Sequence, residues 1–250
     1  MNDRISIIIP ILNEAETITG LLQHLVGNAI DATISEIILV DGGSTDGSQD
    51  VIQQFILNAL SNATKTLPNS TSLKIDIRLI SSGKGRAKQM NSGAQLATGD
   101  ILYFLHADSF PPKHFDRYII NEVKNGNPAG CFRMQFDSTH WWLSLASWLT
   151  QFRWRACRGG DQSQFITRQL FDDIGGYDEN YIIYEDNILI NQLFERNQFV
   201  VINKKLQTSA RRYRKHGVWT LQYHFWMIYI KKWFGADAQE LLAYYRRNIS

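Results

Sequence analysis

Glu36-Ile37-Ile38-Leu39-Val40-Asp41-Gly42-Gly43-Ser44-Thr45-Asp46-Gly47 sets an apolar, largely β-branched run directly against a glycine-rich polar turn. A run without polar alternation reads as a strand covered on both faces, the kind found in parallel sheets. The glycines let the backbone turn tightly, and Ser44, Thr45 or Asp46 offers a side-chain oxygen to cap a following helix. Asp41 has no evident capping job at its position. A carboxylate at a strand tip can instead accept hydrogen bonds from the N–H or hydroxyl groups of a ligand.

The same pattern recurs on either side. Residues 5–9, 73–80 and 101–105 are further apolar runs, and residues 16–26, 47–60 and 86–96 carry helical spacing between them. The alternation predicts an α/β fold: a Rossmann-like, doubly wound, mostly parallel sheet that binds its ligand beyond the carboxyl ends of the strands. Helices are expected over 113–124, 141–152, 186–196, 218–234 and 238–246, and strands over 129–136, 163–167 and 199–203. A polar stretch, 61–72, reads as a surface excursion. Its glycosylation triplets, Asn62-Ala63-Thr64 and Asn69-Ser70-Thr71, would go unused in a cytosolic protein.

Composition sets the class. The 250 residues are 44% hydrophobic and 20% charged with a net charge of +2, which excludes a disordered tail, a collagen-like rod or a general nucleic-acid binder. Cys131 and Cys157 are too few for a disulfide framework and read as reduced thiols. The charge is nevertheless unevenly spread: residues 204–250 hold ten Lys and Arg against two Asp and Glu. All seven Trp lie from Trp141 onward. A domain over 1–203 and a basic, aromatic helical extension over 204–250 are therefore expected. The apolar run at 219–230 is too short to span a bilayer, and with no signal peptide recognised the expectation is cytoplasmic. A helix apolar nearly all round, such as 218–234, must be buried in protein, against the domain or a second subunit in a homodimer, or touch lipid. Lipid contact would put the protein at the inner face of the membrane.

Several loops at the expected sheet edge could carry chemistry. Asn13 and Glu14 follow the first strand, where they suit either a helix start or a ligand. Gly83-Lys84-Gly85-Arg86 opens a helix and offers cations where backbone N–H groups favour an anion, with a solvated helix start as the alternative. His106-Ala107-Asp108 pairs a soft and a hard metal-capable group, a pattern that also arises by accident. Gly159-Gly160-Asp161-Gln162 and Tyr184-Glu185-Asp186 place acids on later loops, where paired acids opening a helix commonly just complement its dipole.

Taken in order, Ile8-Ile9-Pro10 with Asn13-Glu14, then Val40-Asp41-Gly42-Gly43-Ser44-Thr45-Asp46-Gly47, Gly85-Arg86, Asn91-Ser92-Gly93-Ala94, Gly99-Asp100, His106-Ala107-Asp108 and Glu185-Asp186 resemble the family 2 glycosyltransferases. Leu105-His106-Ala107-Asp108, Gly160-Asp161-Gln162 and Thr208-Ser209-Ala210-Arg211-Arg212 are similar to a short bacterial subgroup of that family. The resemblance implies the GT-A fold, a nucleotide-diphosphate sugar donor, Mg²⁺ or Mn²⁺, and inversion at the anomeric carbon. It implies donor contacts from Pro10, Asn13, Glu14, Asp41, Lys84, Arg86 and Asp108, and a metal on Asp108 with His106. His106 stands where most members carry an acid. Asp186 matches the catalytic base, with Asp161 as rival. Asp161, Gln162, Glu185, Arg211 and Arg212 are expected on the acceptor side, and the acceptor would be an unidentified hydroxyl, lipid-linked if the tail meets a membrane. The Gln-x-x-Arg-Trp motif of processive members is absent, which implies single transfers.

Two other readings compete. A sugar nucleotidyltransferase would want a glycine-rich basic loop straight after the first strand, and Pro10-Ile11-Leu12-Asn13-Glu14 has neither glycine nor cation. A degenerate transferase that binds nucleotide sugars without turnover is favoured by His106 and opposed by the retained acids.

Overall fold

The computed structural model describes residues 4–30, 33–65 and 75–249. The chain begins β1 (Ile5–Ile11), α1 (Ile18–Asn28), β2 (Ile34–Asp41), α2 (Ser48–Lys65), β3 (Asp76–Ser81), α3 (Arg86–Leu96) and β4 (Ile101–Phe104). It continues β5 (Ser109–Phe110), α4 (Phe115–Lys124), β6 (Ala129–Phe136), α5 (Trp141–Leu149), β7 (Gln164–Thr167), α6 (Arg168–Ile174) and α7 (Glu185–Glu195). β8 (Val200–Thr208), α8 (Arg211–His216), α9 (Val218–Trp233) and α10 (Ala238–Asn248) complete it.

The strands form one sheet in the order β3-β2-β1-β4-β7-β6-β8-β5. The first four are mutually parallel, as the βα alternation predicts. β7 then runs antiparallel to both β4 and β6, β8 lies parallel to β6, and β5 closes the edge antiparallel to β8. The period-2 geometry of a strand sends alternate residues to opposite faces. Ile5, Ile7, Ile9 and Ile11 of β1 thus pack with Leu21, Leu25 and Phe115 on one face, while Ile8 packs with Met90 of α3 and Leu189 of α7 on the other. Both faces are apolar because helices cover both.

α3 lies unusually close to the sheet. A Cβ at Gly93 would stand 2.5 Å from Ile8 Cγ2, so a larger residue there would lift the helix. One turn earlier, buried Gln89 donates through Nε2 to the carbonyls of Ile11 (2.8 Å) and Val40 (2.7 Å). That side chain ties α3 to the carboxyl ends of β1 and β2, the edge from which the loops emerge.

Some expectations need correction. β8 runs on to Thr208 and so crosses the expected division at 203/204; the helical tail begins at Arg211. The strand was cut short because Asn203, Lys204 and Lys205 are exposed and break its apolar run, although Leu206 and Thr208 return to the interior. The short elements β5, α6 and α8 were not anticipated. α2 takes in residues 61–65 of the expected excursion, whereas residues 66–74, with the triplet at Asn69 and the start of the third expected strand, lie outside the described residues. Among the described residues no helix is long and apolar enough to cross a membrane.

Gln89→Met keeps the side-chain volume but removes both hydrogen bonds. It is expected to cost about 1–3 kcal/mol, read as a lower urea midpoint at unchanged slope.

Candidate functional site

The loop after β1 and the loop after β2 are laced together. Asn13, in left-handed backbone geometry with φ 58°, donates its N–H to Ser44 Oγ (2.9 Å) and accepts from Thr45 N–H through Oδ1 (2.8 Å). Glu14 N–H donates to Ser48 Oγ (2.8 Å) and Ala15 N–H to Asp46 Oδ2 (2.9 Å). Asn13 is therefore a loop clasp; the residue preceding α1 is Thr17.

Asp41 proves to have a local job after all. Its carboxylate accepts from the N–H groups of Gly43 and Ser44, from Ser44 Oγ (2.5 Å) and from Gln49 Nε2 (2.5 Å). Burial works to raise its pKa, but these hydrogen bonds hold it below the usual carboxylate range. The charged form thus organises the β2–α2 turn. Pro10 lies inside β1, buried and paired with Val40, rather than on a loop, and Lys84 is exposed on the turn ahead of α3.

Beyond β4 the chain delivers His106 and Asp108 to the same edge. His106 Nδ1 lies 3.8 Å from Asp161 Oδ1, and Asp108 Oδ2 lies 3.9 Å from Arg211 Nη2. Arg211 also forms an ion pair with Glu14. It sits between Glu14 and Asp108, bridging the first loop to the end of β4. The Asp108 pKa is raised, chiefly by burial, with Asp161 and Glu14 pushing the same way and His106 and Arg211 opposing. Negative charge at this point is thus only partly compensated by the chain itself. Among the described residues no group of three or more His, Cys, Asp and Glu encloses a cation site.

The acid pair at the start of α7 divides by burial. Glu185 is fully buried with Arg86 Nε 2.6 Å from its Oε1, and Asp186 Oδ2 lies 3.8 Å from Arg86 Nη2. Burial pushes Glu185 up to about 7, with Asp186 adding to the rise and Arg86 opposing it. Arg86, itself part-exposed, therefore pairs with these two acids, which the sequence reading did not foresee. Glu185 is sealed from solvent and braces Arg86. Asp186 keeps a little open surface.

Gly160 lies against Asp186. A Cβ built on it would stand 1.9 Å from Asp186 Oδ2 and 3.2 Å from His106 Cε1, so only glycine lets this loop cross there. Asp161, its neighbour, has a side chain 59% exposed. Gln162 points into the protein. It is buried, accepts from Arg158 Nη1 (2.6 Å) and donates to the Cys157 carbonyl (2.6 Å). Arg158 in turn donates to the carbonyls of Thr150 (2.6 Å) and Phe152 (2.9 Å), and it was missed because a single Arg before two glycines carries no pattern. Arg212, exposed, lies over the rings of Phe225 and Tyr245 and helps to pack the C-terminal helices. Cys131 is a buried free thiol pushed up to about 11 by burial, and Cys157 is free and half-buried.

Comparison with known proteins bears on the family and the fold. "Probable glycosyltransferase YdaM" of Bacillus subtilis is 24% identical over 205 residues, covering 75% of this chain and 46% of that protein. An undecaprenyl-phosphate 4-deoxy-4-formamido-L-arabinose transferase of Sodalis glossinidius is 28% identical over 148 residues, covering 58% and 41%. The chain thus spans less than half the length of these relatives. Among solved structures, the mannosyltransferase PcManGT of Pyrobaculum calidifontis in complex with GDP-Man and Mn²⁺ superposes with a TM-score of 0.68 at 15% identity, covering 95% of this chain and 66% of that one. TarS of S. aureus in complex with UDP gives 0.65 at 15% identity, covering 83% and 60%. Those likenesses establish the shared GT-A fold. The family model described as glycosyl transferase family 2 matches residues 6–178, well over half of the sequence, and the chain belongs to that family.

Proposed function

We propose that this protein is an inverting glycosyltransferase that moves one sugar per event from a nucleoside-diphosphate sugar to an acceptor hydroxyl, in the subgroup marked by Leu105-His106-Ala107-Asp108. The observation that carries the reading is the convergence of Asp108, His106, Asp186 and Asp161 around the Gly160 crossing, beyond the carboxyl ends of parallel strands. Acids at a topological switch point suit a charged, nucleotide-bearing donor. The ligands named for the two solved structures, UDP for one and GDP-Man for the other, support the same substrate class.

The nucleoside would lie along the laced loops, with Asn13, Glu14 and Asp41 forming its wall. Arg211 is the cation closest to Asp108 and would face the departing diphosphate. Sugar transfer forms a bond from the acceptor oxygen to the anomeric carbon as the bond to the diphosphate oxygen breaks, and the electron pair leaves with the diphosphate. The acceptor's proton goes to a carboxylate on the attacking side. Asp186 fills that role: it retains exposed surface, whereas its neighbour Glu185 is sealed and fixes Arg86 beneath it. Asp161 is the rival, more exposed and next to the glycine in the chain.

A divalent cation fits this donor set. Asp108 offers a hard oxygen and His106 an imidazole, and Mg²⁺ typically takes only one or two carboxylates, with substrate phosphates and water completing its shell. A site without a closed cage of protein ligands is what such sharing requires. Asp108, with His106 directly or through water, would hold the ion, which when bound would neutralise charge on the departing diphosphate.

Asp186→Asn is expected to lower turnover about 10²–10⁴-fold while donor affinity stays within twofold of the parent, about 0.4 kcal/mol. Near-normal turnover in Asp186→Asn together with its loss in Asp161→Asn transfers the role to Asp161. For the cation, Asp108→Asn is expected to abolish the dependence of donor binding on Mn²⁺ in calorimetry, and His106→Asp to tighten it. Unchanged Mn²⁺ dependence in Asp108→Asn would exclude Asp108 as the ligand.

A further inference from the structure

α5 and α9 leave two aromatic stripes on the surface. On α5, Trp141, Leu145 and Trp148 follow the i, i+4, i+7 spacing of one helix face, and all three are exposed. On α9, Trp219, Tyr223, Trp226 and Ile230 continue the same spacing over eleven residues, again all exposed. Trp233 and Phe234 end the second stripe at 85% and 83% exposure, the two most open large apolar side chains among the described residues.

The stripes are joined. Ring centroids of Trp142 and Trp219 lie 5.4 Å apart, those of Trp141 and Trp219 5.7 Å, and those of Trp142 and Trp226 5.8 Å. Trp142 Nε1 donates to Gln222 Oε1 (3.1 Å), which fixes one helix against the other. The opposite side of α9 is already used, because Leu221 and Ile228 are buried with Leu241 and Ile249 of the last helix and its end. Burial therefore accounts for one face of this nearly all-apolar helix and leaves the other uncovered. A contiguous aromatic surface of this kind on a chain with ordinary solubility signals marks a contact surface.

We propose that this surface seats the protein on an anionic lipid interface. Its composition is Trp and Tyr more than Leu, Ile or Val, the residues that favour the headgroup level, where an apolar ring body and a polar edge are both satisfied. The same segment of the chain carries cations: Lys215 on α8 and Arg246 and Arg247 at the end of α10 are exposed, while Arg214 pairs with Asp137, and residues 204–250 have a net charge of +8. That charge complements anionic headgroups. It opposes a second copy of the same chain, which would bring +8 against +8. Attachment would be peripheral, with the helices lying in the interface. The surface also connects to the candidate site. α8 begins at Arg211, beside Asp108, and two residues on Tyr213 packs its ring on Phe136 and Phe225, under the aromatic stripes.

The test is co-sedimentation of the full chain with phosphatidylcholine vesicles prepared with and without phosphatidylglycerol, at low and high salt, with tryptophan emission recorded in parallel. Binding to the anionic vesicles alone, with a blue shift and weakening by salt, is expected. Trp233→Ser combined with Phe234→Ser should weaken it more than about tenfold, and Arg246→Glu with Arg247→Glu should do likewise. Both pairs are exposed, so an unchanged circular dichroism spectrum and thermal midpoint verify that the variants fold. The readout needs no turnover and stands independently of the transferase reading. No pelleting with anionic vesicles, equal pelleting with neutral ones, or a dimer in light scattering that the Trp233→Ser, Phe234→Ser variant dissolves would each overturn the proposal.

Discussion

β1 lies between β2 and β4, parallel to both and buried on both faces, and the placement of every candidate residue follows from that constraint. Three loops must leave the sheet at one edge, bringing Asn13 and Glu14, the turn after Asp41, and His106 with Asp108 within reach of one ligand. Gln89 secures the edge from behind by holding the last carbonyls of β1 and β2 to α3. The second half of the sheet is mixed rather than parallel, and its return through β7 carries the Gly160 loop back over the same edge.

Charge at that edge is arranged in two layers. The deeper layer is the buried acids Glu185 and Asp186, held by the part-exposed guanidinium of Arg86; one of them, Glu185, is drawn up to about 7 by its burial. The outer layer is Arg211 with Glu14 and Asp108. Removing a buried ion from water is costly unless it is paired, so the deeper layer is a fixed scaffold. The acids of the outer layer are more open and outnumber its one cation, which is the charge balance that the proposed divalent ion would offset. Gly160 joins the layers, because its missing side chain lets the loop rest on both Asp186 and His106.

Much of this was legible in the residues. Uninterrupted apolar runs announce strands covered on both faces, and glycine-rich turns with acids announce the loops between them. What a sequence hides is direction. Gln162 and Arg212 share polar character with Asp161 and Arg211, yet Gln162 turns inward to the Cys157 carbonyl and Arg212 stays at the surface, laid over aromatic rings. Asp41 looked free only because its partners, Gly43, Ser44 and Gln49, satisfy it through a turn geometry that residue type alone does not specify. The end of β8 was obscured for a similar reason: exposed lysines on an outer strand resemble the start of a basic tail.

The most direct test of the account is the change in thermal midpoint across a panel of nucleoside mono- and diphosphates, each with and without Mn²⁺. A ligand that binds only the folded chain stabilises it by mass action, about 2.7 kcal/mol at a hundredfold excess over its dissociation constant. The account predicts that one nucleoside diphosphate raises the midpoint, more strongly with Mn²⁺ and more than its monophosphate. A midpoint unmoved by every nucleoside diphosphate at millimolar concentration, in the presence of Mn²⁺, would contradict it.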